Sequence, residues 1–249
     1  MGTWSWTTQT GRFSAVGQPG QPAHFAVEQI GDTTFRVLPD AGFEYAPRGG
    51  GPPVAVTSVS LPDTDLASIP VFMSWFASRY GRHTPAALVH DQLVVGGMAA
   101  VERRAADDLF LEMMEELDVP PVRRAVLWSG VTFATRFSSG WTARLLTVVW
   151  LLAAIAGMAG LVAGVATSHP WWCVAALLAP IPAALLWGPS RRAGVVGGLA
   201  LPAVAGPALA AYVGYVAYWV VEEGYRRLRT VPPSRDVADE PTPVTFGDL

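Results

Sequence analysis

The chain has 249 residues, of which 51% are hydrophobic and only 15% charged, and its net charge is −3. That apolar content is too high for an ordinary soluble protein. The charge balance, with no basic cluster interleaved with aromatics, argues against a nucleic-acid partner. The charges are also unevenly spread: 14 acids and 7 arginines in residues 1–118, 6 arginines and no acid in 119–221, then 6 acids and 4 arginines to the end. Every cation is an arginine, and the one cysteine, Cys173, excludes a disulfide within the chain.

Residues 1–22 are rich in Gly, Ser, Thr, Gln and Pro and read as a flexible lead. The start has neither a basic n-region nor an apolar h-region, so the sequence predicts that the N-terminal part begins in the cytoplasm. From His24 the runs HFAVEQI, TTFRVL, FEYA and PVAVTSVSL alternate β-branched or aromatic residues with turn signals. They predict three or four strands of a small antiparallel sheet. Leu61–Pro70 has two acids, a serine and two prolines and reads as an ordered loop; Val71–Arg82 reads as a short helix.

Thr84-Pro85 supplies an N-cap and a first-turn proline, predicting a helix to about Val95 that stops at Gly96-Gly97. A second helix is expected from about Ala99 to Leu117, a break at Asp118–Pro121, and a third from Val122 to Phe137. The fold class is therefore α+β: an N-terminal antiparallel sheet plus three helices over residues 23–138, with an antiparallel helical hairpin, followed by an α-helical transmembrane region over 139–222.

That region holds three uncharged runs, Leu145–Ser168, Pro170–Ser190 and Ala193–Val221. About 20 apolar residues suffice to cross hydrocarbon, so the first two predict spans. The third, with Pro202 and Pro207 inside it, is one long kinked span or a re-entrant hairpin. With the N-terminal domain inside, Arg123, Arg124, Arg136, Arg144, Arg191 and Arg192 all face the cytoplasm, as the positive-inside rule prefers. The expectation is an integral protein of a bacterial inner membrane. Residues 223–249 are Pro-rich and acidic and read as disordered.

Two antiparallel helices joined by a short loop bring together residues equidistant from the loop centre. His90 and Asp107 are equidistant from the position just after Gly96-Gly97, so imidazole and carboxylate are expected side by side. A carboxylate that accepts one ring N–H leaves the other nitrogen as a general base. Asp91 points about 100° away from His90 on the same helix, towards the end that could face the 61–70 loop. With Asp65 and loop carbonyls it would form an oxygen-only site suited to calcium. Simpler readings stand beside this one: Asp107 paired with Arg103 one turn earlier, Asp65 as an N-cap or turn acid with Ser68 as a second cap, and Phe110, Met113 and Met114 as core.

The motifs D-L-A-S-I-P at 65–70, A-A-L-V-H-D at 86–91 and R-x-x-A-D-x-x-F at 103–110 resemble a phage and bacterial family, domain of unknown function 1353, over roughly residues 40–137. The same order is distantly similar to the bacterial secreted phospholipases A2. That likeness implies a lipid ester hydrolase with His90 as base and Asp107 as its orienting acid. It also implies calcium held by Asp65, the Leu66 carbonyl and Asp91, with phospholipid in the bilayer as substrate. The chain departs from those enzymes in lacking cystines and in carrying Val94-Val95 where an aromatic follows the H-D pair. The rival reading is a non-enzymatic membrane or phage-derived structural or effector protein, in which the same side chains hold helices together.

Overall fold

The computed structural model describes residues 3–8, 11–31, 34–66, 76, 80–94 and 99–228. Most of the expected Val71–Arg82 helix, the Gly96-Gly97 break and the tail from 229 lie outside the described residues. The chain divides into two units, residues 1–79 with 207–249, and residues 80–206.

Seven strands form one sheet: β1 Thr3–Thr8, β2 Phe13–Ser14, β3 Ala23–Gln29, β4 Phe35–Val37, β5 Gly42–Tyr45, β6 Val54–Thr57 and β7 Asp63–Thr64. The order is β2-β5-β3-β4-β7, with β1 on β3 and β6 on β5, and every pairing is antiparallel. Phe25, Val27, Phe43 and Tyr45 lie at alternate positions of β3 and β5 and are fully buried, the period of 2 that a half-buried strand requires. Phe43 meets Phe25 edge to face, with ring centroids 5.5 Å apart, and Phe13 lies 4.7 Å from Tyr45.

The expected flexible lead differs in detail. Thr3–Thr8 pairs residue for residue with Ala23–Glu28, and Trp6 packs against Phe13 and Phe43. Its composition is that of a loop, but TWSWTT alternates aromatic with small polar residues and so has a face to bury.

In the second unit α1 is Thr84–Val94, α2 Ala100–Glu116 and α3 Pro121–Ser138. At the start of α1 the His83 carbonyl already accepts the Ala87 N–H, and the Thr84 hydroxyl accepts the Gly81 N–H at 2.8 Å. The helix thus opens one residue before Thr84, and Thr84 locks the preceding turn. Glu102 reaches back to the Ala99 N–H at 2.9 Å, half of a capping box for α2. Asp118, at φ 51°, ends α2 in the left-handed conformation, with the Val119 N–H on the Met114 carbonyl. Pro121 then opens α3 at a position that needs no N–H.

Helix α4, Trp141–Ala166, is followed by α5 Pro170–Leu178, α6 Pro180–Ala184, a 3-10 helix Leu185–Ser190 and α7 Arg191–Leu228. The uncharged run 170–190 is therefore not one straight helix. Pro180 and Pro182 remove backbone donors, and Gly188, at φ 57° and ψ −122°, kinks the chain before Pro189. Two segments are long and apolar enough to cross a membrane, Trp141–Ala166 and the 58-residue Pro170–Arg227, where hydropathy alone suggests three. Helices α4 and α5 meet through small residues: a Cβ at Gly157 would lie 2.5 Å from the Ala176 carbonyl oxygen, and one at Gly164 2.8 Å from the Cys173 sulfur. Trp150, Ala184, Trp187 and Ala193 form the buried centre of this bundle, and Trp128 and Phe133 of α3 pack on it.

Candidate functional site

Antiparallel α1 and α2 set His90 opposite Asp107. His90 Nε2 lies 2.9 Å from Asp107 Oδ1. Asp107 is 1% exposed, and Ala106, Phe110, Met113 and Met114 on the same helix are buried around it. Its Oδ1 also accepts the Thr135 hydroxyl of α3 at 3.1 Å, while Oδ2 is buried with no hydrogen-bond partner among the described residues. Asp107 thus receives a donor from each neighbouring helix. The Arg103 guanidinium reaches the Ser138 hydroxyl of α3 at 3.3 Å.

No motif in the sequence marks Thr135. It supplies a hydroxyl partner for Asp107 from α3, 28 positions further along the chain. Its only signal was a polar residue, with Thr132 and Ser129, at three-residue spacing on the buried stripe of α3. Phe110, expected as core, also borders the site, its ring centroid 5.4 Å from that of His90.

The second ring nitrogen of His90 faces Asp91. The Nδ1 to Oδ1 distance is 3.9 Å, too long for a hydrogen bond but within ion-pair reach. Burial by itself lowers the His90 pKa. The hydrogen bond to Asp107, the interaction with Asp91 and the negative charge of both carboxylates outweigh that and push it up to about 9. At neutral pH the ring is therefore an imidazolium between two carboxylates. Asp108, next along α2, is raised by its own burial and by the charge of Asp107, against the opposing effects of Trp128 and Arg104.

The calcium donors implied by the phospholipase likeness fall in different units, Asp65 and Leu66 in the first and Asp91 in the second. Leu66 is buried in a left-handed conformation at φ 67°, its N–H bonded to the Thr64 hydroxyl at 2.9 Å. A non-glycine residue held there costs of order 1 kcal/mol or more and marks a constrained loop. Among the described residues no three His, Cys, Asp or Glu side chains gather where they could hold a metal ion.

Geometrically, then, the site is a histidine oriented by a buried carboxylate and a threonine, with its other nitrogen turned towards a partly exposed aspartate. No curated protein and no solved structure matches the chain. Residues 56–131, a stretch that includes the whole His90, Asp91 and Asp107 constellation, match the model of a family described as protein of unknown function DUF1353.

Proposed function

We propose that this is a membrane-anchored ester hydrolase acting on bilayer lipids, phospholipase A2-like in its use of His90 and Asp107. The observation that carries the reading is the 2.9 Å contact between His90 Nε2 and the buried Asp107. With Nε2–H donated to that carboxylate, the neutral ring presents the Nδ1 lone pair on its less buried side, where it takes a proton from water attacking an ester carbonyl. Because His90 titrates at about 9, the base form accumulates as pH rises towards that value.

The membrane part rests on the two apolar segments. Only 22% of the most apolar stretch of each is buried, which does not fit a helix enclosed in a soluble core. A 58-residue segment is roughly 87 Å of helix, against about 30 Å of hydrocarbon. The kink at Gly188-Pro189 supports reading it as two crossings, which makes three in all. Arginines flanking α3, α4 and the turn at Arg191-Arg192 put those ends on the cytoplasmic side.

A second reading has one observation in its favour. An imidazolium held between two carboxylates at neutral pH is also what a structural lock between α1 and α2 looks like. The test is fatty-acid release from phospholipid liposomes by the full chain between pH 7 and 10, with and without calcium, for the parent and His90→Gln. Release that climbs towards pH 9 and vanishes in the variant supports the hydrolase. Equal release from both, or none from either, leaves the lock.

A further inference from the structure

We propose that the cavity where α3 passes into α4 binds the phosphate headgroup of an anionic phospholipid. The cavity, a shallow pocket of about 430 Å³ that is largely open to the outside, is lined by Arg136, Thr142, Leu146, Leu186, Trp187 and Pro189 among others. Arg136 is held against its wall. Nη1 donates to the Trp187 carbonyl at 3.0 Å and Nη2 to the Leu186 carbonyl at 3.4 Å, and the guanidinium lies 5.1 Å from the Trp187 ring centroid.

What Arg136 lacks is an anion. Residues 119–221 contain no Asp or Glu, and among the described residues Arg136 forms no ion pair. Its Nε is buried without a hydrogen-bond partner. Burial lowers its pKa, and the neighbouring charge that acts on it, Arg104, is another cation that lowers it further. A fixed, half-desolvated guanidinium beside a second cation is an environment that a phosphate stabilises, through charge-assisted bonds in low dielectric.

The rest of the lining suits a lipid better than a free ion. Gly140, Trp141, Thr142 and Ala143, the start of α4, border the cavity. No side chain caps that end of the 26-residue α4, so its first N–H groups and the positive end of the helix dipole add to the field of Arg136. Leu146, Leu186 and Trp187 form an apolar wall on which the glycerol and upper acyl segments would lie. Trp141, 75% exposed at the same place, is an interfacial anchor. Basic pockets between membrane helices on the cytoplasmic side are recognised sites for anionic headgroups.

The proposal rests on the membrane crossings and not on the chemistry of His90. The full chain in a mild detergent is exchanged with phosphatidylglycerol or phosphatidylcholine and examined by native mass spectrometry, beside Arg136→Gln and Thr142→Glu. Thr142 is exposed in the first turn of α4, where an acid favours the helix, so that variant keeps the fold while placing a like charge in the cavity. We expect a preference for phosphatidylglycerol of about tenfold or more in the parent, lost in both variants, with melting of Thr142→Glu unchanged. Equal retention of the two lipids by the parent, or an undiminished preference in Thr142→Glu, overturns the site. So does inorganic phosphate that competes as well as the lipid, since the cavity then reads phosphate alone. Release of the chain from membranes by alkaline carbonate would instead overturn the membrane crossings.

Discussion

Replacing Asp107 with Asn removes the charge that holds His90 protonated while keeping the side chain's shape, and its effect is calculable. The rise of the His90 pKa from 6.5 to about 9 corresponds to about 3 to 4 kcal/mol, at about 1.4 kcal/mol per pH unit. His90 is 12% exposed and Asp107 1%, so solvent screening removes little of it. The sign follows from linkage. A histidine whose folded pKa lies above its unfolded one stabilises fully below about 6.5, progressively less as pH rises, and not at all above about 9. Asp107, at 2.9 Å, carries more of this than Asp91 at 3.9 Å.

Asp107→Asn should therefore cost about 2 to 3 kcal/mol at pH 6 and within about 1 kcal/mol of nothing at pH 10. In the variant the His90 pKa should fall below 6.5, because burial then acts with only Asp91 to oppose it. Unfolding of the detergent-solubilised full chain by sodium dodecyl sulfate at the two pH values measures the first. An NMR titration of labelled histidines, with His90 assigned by its loss in His90→Gln, measures the second. A destabilisation equal at both pH values would refute the charge pairing, as would a His90 titration unmoved by the substitution.

Other perturbations test neighbouring contacts. Thr135→Val leaves Asp107 Oδ1 with His90 alone and should cost about 1–3 kcal/mol, read by the same denaturation. Gly157→Ala places a methyl 2.5 Å from the Ala176 carbonyl oxygen and should lower stability by about 1–3 kcal/mol as α4 and α5 separate. Gly130→Ala, mid-helix with nothing within 4 Å, should raise it by about 0.5–1 kcal/mol; a loss there would mean that α3 packs more closely than described. In a Cys173→Ser background, Arg192→Cys should react with an impermeant thiol reagent only from the cytoplasmic side; labelling from outside whole cells would overturn the orientation.

Parts of this structure are written locally and parts are not. Proline and turn signals at Thr84-Pro85 and Asp118–Pro121 locate α1, α2 and α3 to within a few residues, because caps and prolines act over one turn. The juxtaposition of His90 and Asp107 follows from counting outward from one loop. The site's third member is different in kind. Thr135 reaches Asp107 only because α3 packs on α2, and no spacing rule connects a hydroxyl to a carboxylate 28 residues earlier. Likewise, hydropathy cannot distinguish a straight helix from one broken at Pro180 and Gly188. The seven-residue β3 was legible, but its partner β1 was hidden by a composition of Thr, Ser and Trp whose packing depends on Phe13 and Phe43.

The chemistry of the site turns on Asp91. Asp107 and Thr135 orient the ring under either reading, so their removal harms a lock and a catalyst alike. Asp91 contributes no hydrogen bond at 3.9 Å; it acts on His90 by charge, stabilising the protonated form and so withholding Nδ1 from use as a base. Offsetting that charge should lower the His90 pKa and carry the basic limb of a hydrolase profile to lower pH. Asp91→Asn does this directly: a catalytic His90 gains activity near neutrality while stability at pH 6 falls, whereas a lock loses stability and gains nothing. Fatty-acid release at pH 7 by Asp91→Asn, compared with the parent and with His90→Gln, therefore discriminates more sharply than deleting the histidine, because the two readings predict opposite signs.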